Sequence, residues 1–406
     1  MIRTAAVGLA LGLSLVTTAC GSRLGDGAAP ASPGSSAPVG ATPALSSSPL
    51  AGVESHQLTA RGDWVWVSRG TDTGGFGTTE LWAADLIGRP AQLVLRYPRS
   101  WIGETFVSRQ LSRDGAHFGF STDVGGGRYR IVVADVRGGT WRTVDPDTSE
   151  MQDGHPTWSP DGSRLAFSRM TRTTDGRTVQ AGLWVVNADG SSLHKLLDGA
   201  SAPTYVYDWT PDGRFVGVAQ NVGYSLVDAS TGAIRSSTNI ITAGSWRARE
   251  PAFVGAMSGQ GSEITIATGP GPDALGPAQL RVSAPVFISR PRWNPVRDEF
   301  LYLRSAPAAQ PNIPDLTVQV RSGELDRAVP LSGRPGYAEW APDGESIVYL
   351  RSDVVADPTR PGSGGLFETS LRVVRRDGSA DHEIFASNDA QGRPLSLAGD
   401  FATRHY

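Results

Sequence analysis

The chain has one cysteine, one lysine and six histidines among 406 residues, and no long apolar run beyond residue 20. The lone Cys20 excludes an internal disulfide and a paired-cysteine zinc site. With lysine confined to Lys195, positive charge rests on scattered arginines, and the net charge is −3. Nucleic acid needs a basic face, so that partner class is excluded; Arg109 and the pair Arg375-Arg376 read instead as solvated strand edges. The histidines stand apart, with no H-E-x-x-H spacing. Gly255-Ala256-Met257-Ser258-Gly259 is misspaced for a nucleophile elbow. Gly125-Gly126-Gly127 has no following Lys-Ser/Thr and reads as a hairpin loop rather than a phosphate cradle. No catalytic, metal or cofactor motif is found, so the expectation is a non-enzyme with no cofactor. Helical periodicity is also missing after residue 20, which leaves β-structure.

A repeat is present. Trp158-Ser159-Pro160-Asp161, Trp209-Thr210-Pro211-Asp212, Trp293-Asn294-Pro295-Val296 and Trp340-Ala341-Pro342-Asp343 recur, and three continue into Gly162, Gly213 and Gly344. Pro presets the first turn position, Asp caps the turn and Gly takes the left-handed conformation, so each motif predicts a tight hairpin. Short apolar runs follow, such as Leu165-Ala166-Phe167 and Ile347-Val348-Tyr349-Leu350. With weaker copies marked by Leu58, Leu111, Phe253 and Leu395, the column 58, 111, 158, 209, 253, 293, 340, 395 advances in steps of 53, 47, 51, 44, 40, 47 and 55. Each step is about the length of a four-stranded propeller blade. The reading is an all-β, seven-bladed β-propeller of four-stranded antiparallel blades, with six blades as the alternative. The large residues of the column are expected to fill the gaps between blades. The final partial copy is expected to donate a strand to the first blade and close the ring.

The N-terminus carries an address. Arg3 precedes the apolar stretch Ala5 to Val16, too short for a comfortable membrane span. Thr17-Thr18-Ala19-Cys20-Gly21 resembles a bacterial lipobox. That resemblance implies a signal peptide over 1–19, lipidation of Cys20 and an anchor on the extracytoplasmic face of the cell membrane. Of the 35 residues 21–55, 27 are Gly, Ala, Ser, Pro or Thr, too polar and small to bury a core. Residues 20–55 are therefore read as a tether, with a reach of roughly 30 Å, and 56–406 as the propeller.

At Pro156-Thr157-Trp158-Ser159-Pro160-Asp161-Gly162-Ser163-Arg164-Leu165-Ala166-Phe167 the chain resembles the TolB-type propeller repeat. Together with the lipobox and the Lys-poor composition, the whole resembles TolB-like lipoproteins of high-GC, actinobacterial type. The resemblance spans residues 56–406 and implies a protein-binding scaffold in the cell envelope. TolB itself carries a further domain ahead of its propeller, for which 21–55 leave no room.

One constellation points to a site. Just before the column residues stand His155, Asp208, Glu250, Arg290, Arg292, Tyr337 and Glu339. A closed propeller brings them together near one mouth of the central channel. Both charge signs in a partly desolvated channel suit a polar ligand or a partner's peptide; alternatively these groups pair with one another and hold blades together. The expected function is a monomeric, lipid-anchored interaction scaffold with an envelope protein or peptide partner. The alternative is a metal-dependent enzyme of lyase or lactonase type, its site in the channel.

Overall fold

The computed structural model describes residues 52–58, 61–70, 78–98, 107–124, 128–144, 151–172, 178–198, 204–220, 223–238, 245–247, 252–258, 262–268, 276, 279–284, 286, 288–305, 316–355, 366–386 and 397–405. All belong to the compact unit Pro43–Tyr406. Cys20, Glu250 and Leu395 lie outside them.

Seven antiparallel sheets form the seven blades of a propeller. Blade 1 holds Asp63–Gly70, Thr78–Asp85 and Gln92–Pro98, with Leu397–His405 innermost and Glu54–Ser55 as a fifth, outermost strand. Blade 2 holds His117–Asp123, Tyr129–Asp135 and Thr140–Thr143. A one-turn helix, Val107–Gln110, and a single bridge from Leu111 to Phe118 stand where its inner strand would be. Blades 3, 4, 5, 6 and 7 each have four strands, with inner strands Met151–Trp158, Thr204–Trp209, Ser245–Trp246, Ile288–Trp293 and Pro335–Trp340.

The hairpins follow from the repeat. In blade 3 the Ser159 hydroxyl donates to Asp161 Oδ1 at 2.6 Å and accepts from the Arg164 amide at 2.9 Å. Gly162 takes φ +70°, a conformation that strains other residues. The apolar runs after the turns are buried on both faces, so consecutive residues serve different cores. Ile347 and Tyr349 pack between blades 6 and 7, whereas Val348 and Leu350 pack between blades 7 and 1.

Seven hydrophobic clusters occupy the seven seams, one to each, including the closing seam where Val65 and Val67 of blade 1 meet Leu350, Leu371 and Phe385 of blade 7. The C-terminal strand closes blade 1 by pairing antiparallel with Asp63–Gly70, Trp66 opposite Ala402. Leu111, Trp158, Trp209, Trp293 and Trp340 each lie in a different seam cluster, in chain order, with the seam between blades 4 and 5 filled instead by Phe253 and its neighbours.

Two column residues are corrected. Leu58 is not on an inner strand; it follows the outermost strand of blade 1, where its amide donates to the Val136 carbonyl of blade 2 at 3.0 Å and its side chain is buried. Phe253 lies on the second strand of blade 5, and the inner-strand residue facing it is Trp246. Residues Glu54 and Ser55, read from sequence as tether, pair with Arg96 and Leu95.

Candidate functional site

The inner strands do not run straight into their tryptophans. Bulges interrupt pairing between Gly154 and Thr157, Val206 and Asp208, Ser289 and Arg292, and Pro335 and Tyr337. A bulge re-aims the side chains around it. In blades 3 and 6 the bulged dipeptides are His155-Pro156 and Arg290-Pro291, and proline has no amide for the ladder. His155 and Arg290 adopt φ +57° and +54°, a left-handed backbone that costs about 1 kcal/mol or more for such residues and recurs at ligand sites.

Asp208 in blade 4 sits at the end of a side-chain relay. The Tyr224 hydroxyl donates to Asp208 Oδ1 at 2.5 Å, and the Trp246 indole N–H of blade 5 donates to that hydroxyl at 3.1 Å. Burial of the carboxyl pushes its pKa up to about 6, against the lowering pull of Tyr224 and of the Arg109, Trp246 and Arg292 side chains. Burial and the adjacent carboxylate push the Tyr224 hydroxyl well above its usual value. Gly217 makes room: a β-carbon there would overlap both the Tyr224 hydroxyl and the Asp208 carboxyl.

His155 is held near neutrality from the other side. Its burial, helped by the nearby Arg109 charge, brings its pKa down to about 4. Arg109 is no solvated strand edge. It projects from the one-turn helix of blade 2, half-buried, with its guanidinium 4.6 Å from the Tyr207 ring centre and an N–H on the Val206 carbonyl at 3.2 Å. The fields of Arg109 from the helix of blade 2 and Arg292 from blade 6 both reach Asp208, and that of Arg109 also reaches His155, so groups from blades 2, 3, 4 and 6 share one electrostatic neighbourhood.

The remaining members tie blades 6 and 7. Arg292 Nε lies 3.1 Å from Glu339 Oε2, the buried Tyr337 hydroxyl donates to the same carboxylate at 3.2 Å, and Arg292 Nη2 donates to that hydroxyl at 3.2 Å. Arg290 sits 5.2 Å from the Tyr337 ring centre and donates to the Gly336 carbonyl at 3.3 Å. For Arg292 and Glu339 the geometry matches the blade-holding alternative. Glu250 is outside the described residues. Among the described residues no three His, Cys, Asp or Glu side chains stand close enough to hold a metal ion.

Sequence reasoning missed Tyr224, Trp246 and Gly217. A signal existed for Trp246: every column tryptophan stands seven residues before its partner on the next strand, and Trp246 stands seven before Phe253.

The tryptophans also link blades by hydrogen bonds. The indole N–H of Trp158 donates to the Gln110 carbonyl at 2.8 Å, that of Trp209 to Thr157 at 3.0 Å and that of Trp340 to Arg292 at 3.1 Å. Each acceptor immediately precedes the column residue of the neighbouring blade. Trp293 departs from this: its indole N–H is buried without a partner, while its backbone N–H donates to Ser245 Oγ at 2.9 Å.

No protein-family model matches the chain. Among solved structures it is similar to an oligogalacturonate lyase from Vibrio parahaemolyticus, with TM-score 0.50 and 10% identity over 82% of this chain and 90% of that one. It is also similar to TolB from Acinetobacter baumannii, with TM-score 0.41 and 15% identity over 83% of this chain and 66% of that one, just under two thirds of its length. An oligogalacturonate lyase in complex with manganese gives TM-score 0.49 and 13% identity over 82% of this chain and 88% of that one. At such identities the likeness speaks for the fold alone: a seven-bladed β-propeller whose structural neighbours include TolB-like propellers.

Proposed function

We propose that the protein is a lipid-anchored, extracytoplasmic and non-enzymatic interaction scaffold, tethered through Cys20 to the membrane of an actinobacterial-type cell, and that it takes an envelope protein or peptide at the inner-strand cluster. One observation carries the binding part: half-buried Arg109, His155, Asp208 and Arg292, from four blades, lie close enough that the two guanidiniums perturb the Asp208 carboxyl. Polar groups held by rigid strands in a partly desolvated setting suit recognition. The anchor part rests on Thr17-Thr18-Ala19-Cys20-Gly21 and the small-residue tether behind it.

Photo-crosslinking in intact cells tests the reading. A photoreactive residue placed at His155 is expected to capture a discrete partner that the same residue at the exposed rim position Arg235 does not; no capture from position 155 removes the binding site. In parallel, Cys20→Ser is expected to move the protein from the membrane fraction to the soluble one. Unchanged fractionation would remove the anchor.

A further inference from the structure

The seam between blades 4 and 5 has the least apolar material to hold it. Among the described residues its cluster is the smallest of the seven: Phe215, Tyr224, Leu226, Phe253 and Ala267, with Tyr207 and Trp246 against them. The inner strand of blade 5 is also the shortest, Ser245 and Trp246 pairing with Val254 and Phe253. What ties that strand to blade 4 is polar. The Trp246 indole donates to the Tyr224 hydroxyl at 3.1 Å, and that hydroxyl donates to Asp208 Oδ1 at 2.5 Å. The indoles of Trp158, Trp209 and Trp340 end instead on backbone carbonyls, which do not titrate. Of these four links, this one alone ends on an acid.

The groups around that acid leave it desolvated. Arg109 from the one-turn helix and Arg292 from blade 6 act on it as charges rather than as hydrogen-bond donors, and burial outweighs both. Blade 3 brings His155, which burial and Arg109 keep uncharged at neutral pH, and Arg164, which is turned to the Trp209 ring and the Gly213 carbonyl. Blade 5 brings Arg247, which pairs with Asp298 at 3.2 Å and lies over Trp293. The second strand of blade 4 brings Gly217, whose missing β-carbon makes the room. A carboxyl so placed favours its neutral form while the seam is shut and ionises readily once water reaches it. Proton release and seam opening are therefore linked.

We propose that this seam is a proton-operated latch. With Asp208 protonated, the relay holds the inner strand of blade 5 against blade 4; with Asp208 ionised, its proton passed to water, the relay opens far more often. The inference goes beyond the scaffold reading, because the latch works with or without a partner.

The test is hydrogen exchange of the indole protons in the purified full chain, followed by NMR from pH 4 to pH 7. The Trp246 and Trp209 signals are assigned by their loss in Trp246→Phe and Trp209→Phe. Both protons have the same intrinsic chemistry, so the ratio of their rates reports opening of the latch against a seam of the regular kind. With the Asp208 carboxyl moved from 3.8 to about 6, the Trp246 to Trp209 ratio is expected to rise on the order of 50-fold over this range. In Asp208→Asn the ratio should stay flat. A ratio in the wild-type chain that changes by less than about threefold, or a full rise retained in Asp208→Asn, would overturn the proposal. If Asp208→Asn does not fold, the carboxyl carbon of Asp208 in the wild-type chain supplies the second measurement: its chemical shift should titrate over the pH range in which the ratio rises, and a titration complete before the rise begins would overturn the latch. Failure of capture at position 155 removes the partner and leaves the latch standing, whereas a flat wild-type ratio removes the latch alone.

Discussion

The seam between blades 3 and 4 and the two seams flanking blade 5 are built from the same tryptophan at the same register, yet they are held differently. Between blades 3 and 4 the Trp209 indole reaches the Thr157 carbonyl, Arg164 lies 4.9 Å from the Trp209 ring and donates to the Gly213 carbonyl at 2.7 Å. At blade 5 the Trp246 indole turns to the Tyr224 hydroxyl, and the Trp293 indole finds no acceptor. The difference lies in the inner strand, which has two residues in blade 5 and eight in blade 3. Apolar area plugs every seam. Where the inner strand is short, the backbone acceptor of the regular pattern gives way to a side-chain relay ending on Asp208. Departures from a local rule tend to mark functional ground, and this one coincides with the candidate site.

The largest way to break the comparison is to remove what both kinds of seam require, the closed ring. Deleting residues 397–406 strips blade 1 of its inner strand and should lower the melting temperature by on the order of 10 °C or more, or abolish cooperative unfolding. An unchanged calorimetric transition would contradict closure by this strand. Next comes Gly217→Ala, which forces Tyr224 and Asp208 apart and should cost about 1–3 kcal/mol in chemical denaturation; a neutral outcome would mean the relay is dispensable.

A smaller effect separates the two seams directly. Trp209→Phe orphans the Thr157 carbonyl, whereas Trp293→Phe removes a donor that had no partner. Trp209→Phe should therefore be the more destabilising by about 1–2 kcal/mol, and equal losses would show that only ring area matters.

The smallest net effect on the wild-type protein is a cancellation, which single variants uncover. The Asp208 pKa is raised, to about 6, so its contribution is fully present below the unfolded value near 4 and is lost as pH rises through 6. The His155 pKa is lowered, to about 4, so its contribution is present above about 6.5 and is lost as pH falls through 4. Each is worth about 3 kcal/mol over its window, with opposite sign, and the windows nearly coincide. Thermal scans from pH 4 to 7 should show Asp208→Asn losing stability relative to wild type as pH falls, and His155→Gln gaining it. Parallel curves for all three proteins would remove both shifts.

Most of the wheel was legible in the sequence because a Trp-x-Pro-Asp-Gly string encodes its hairpin locally, through one proline, one capping carboxylate and one left-handed glycine. The strand runs were legible for a related reason: burial on both faces leaves residues such as Ile347, Val348, Tyr349 and Leu350 continuously apolar. Leu58 misled because the inner strand of blade 1 arrives from the far end of the chain, so nothing before Asp63 can mark it. Phe253 misled because Trp246 is followed by Arg247-Ala248-Arg249 rather than Pro-Asp-Gly, and Pro251 imitated the proline of blades 3 and 6. Of the site, His155, Asp208, Arg290, Arg292, Tyr337 and Glu339 could be chosen by their place before the column. Tyr224 and Gly217 could not, because they reach Asp208 only through the cross-strand register of blade 4.

The strand shared by the two ends of the propeller has a temporal side. Trp66 must wait for Ala402, roughly 340 positions later, before its ladder is complete, and such distant pairings slow folding and leave early segments open to wrong partners. During synthesis the first blade to emerge is thus the last to be finished, with an unpaired edge beside Val65 and Val67 for nearly the whole of chain elongation. A cell producing this protein has reason to guard that edge until the final residues appear.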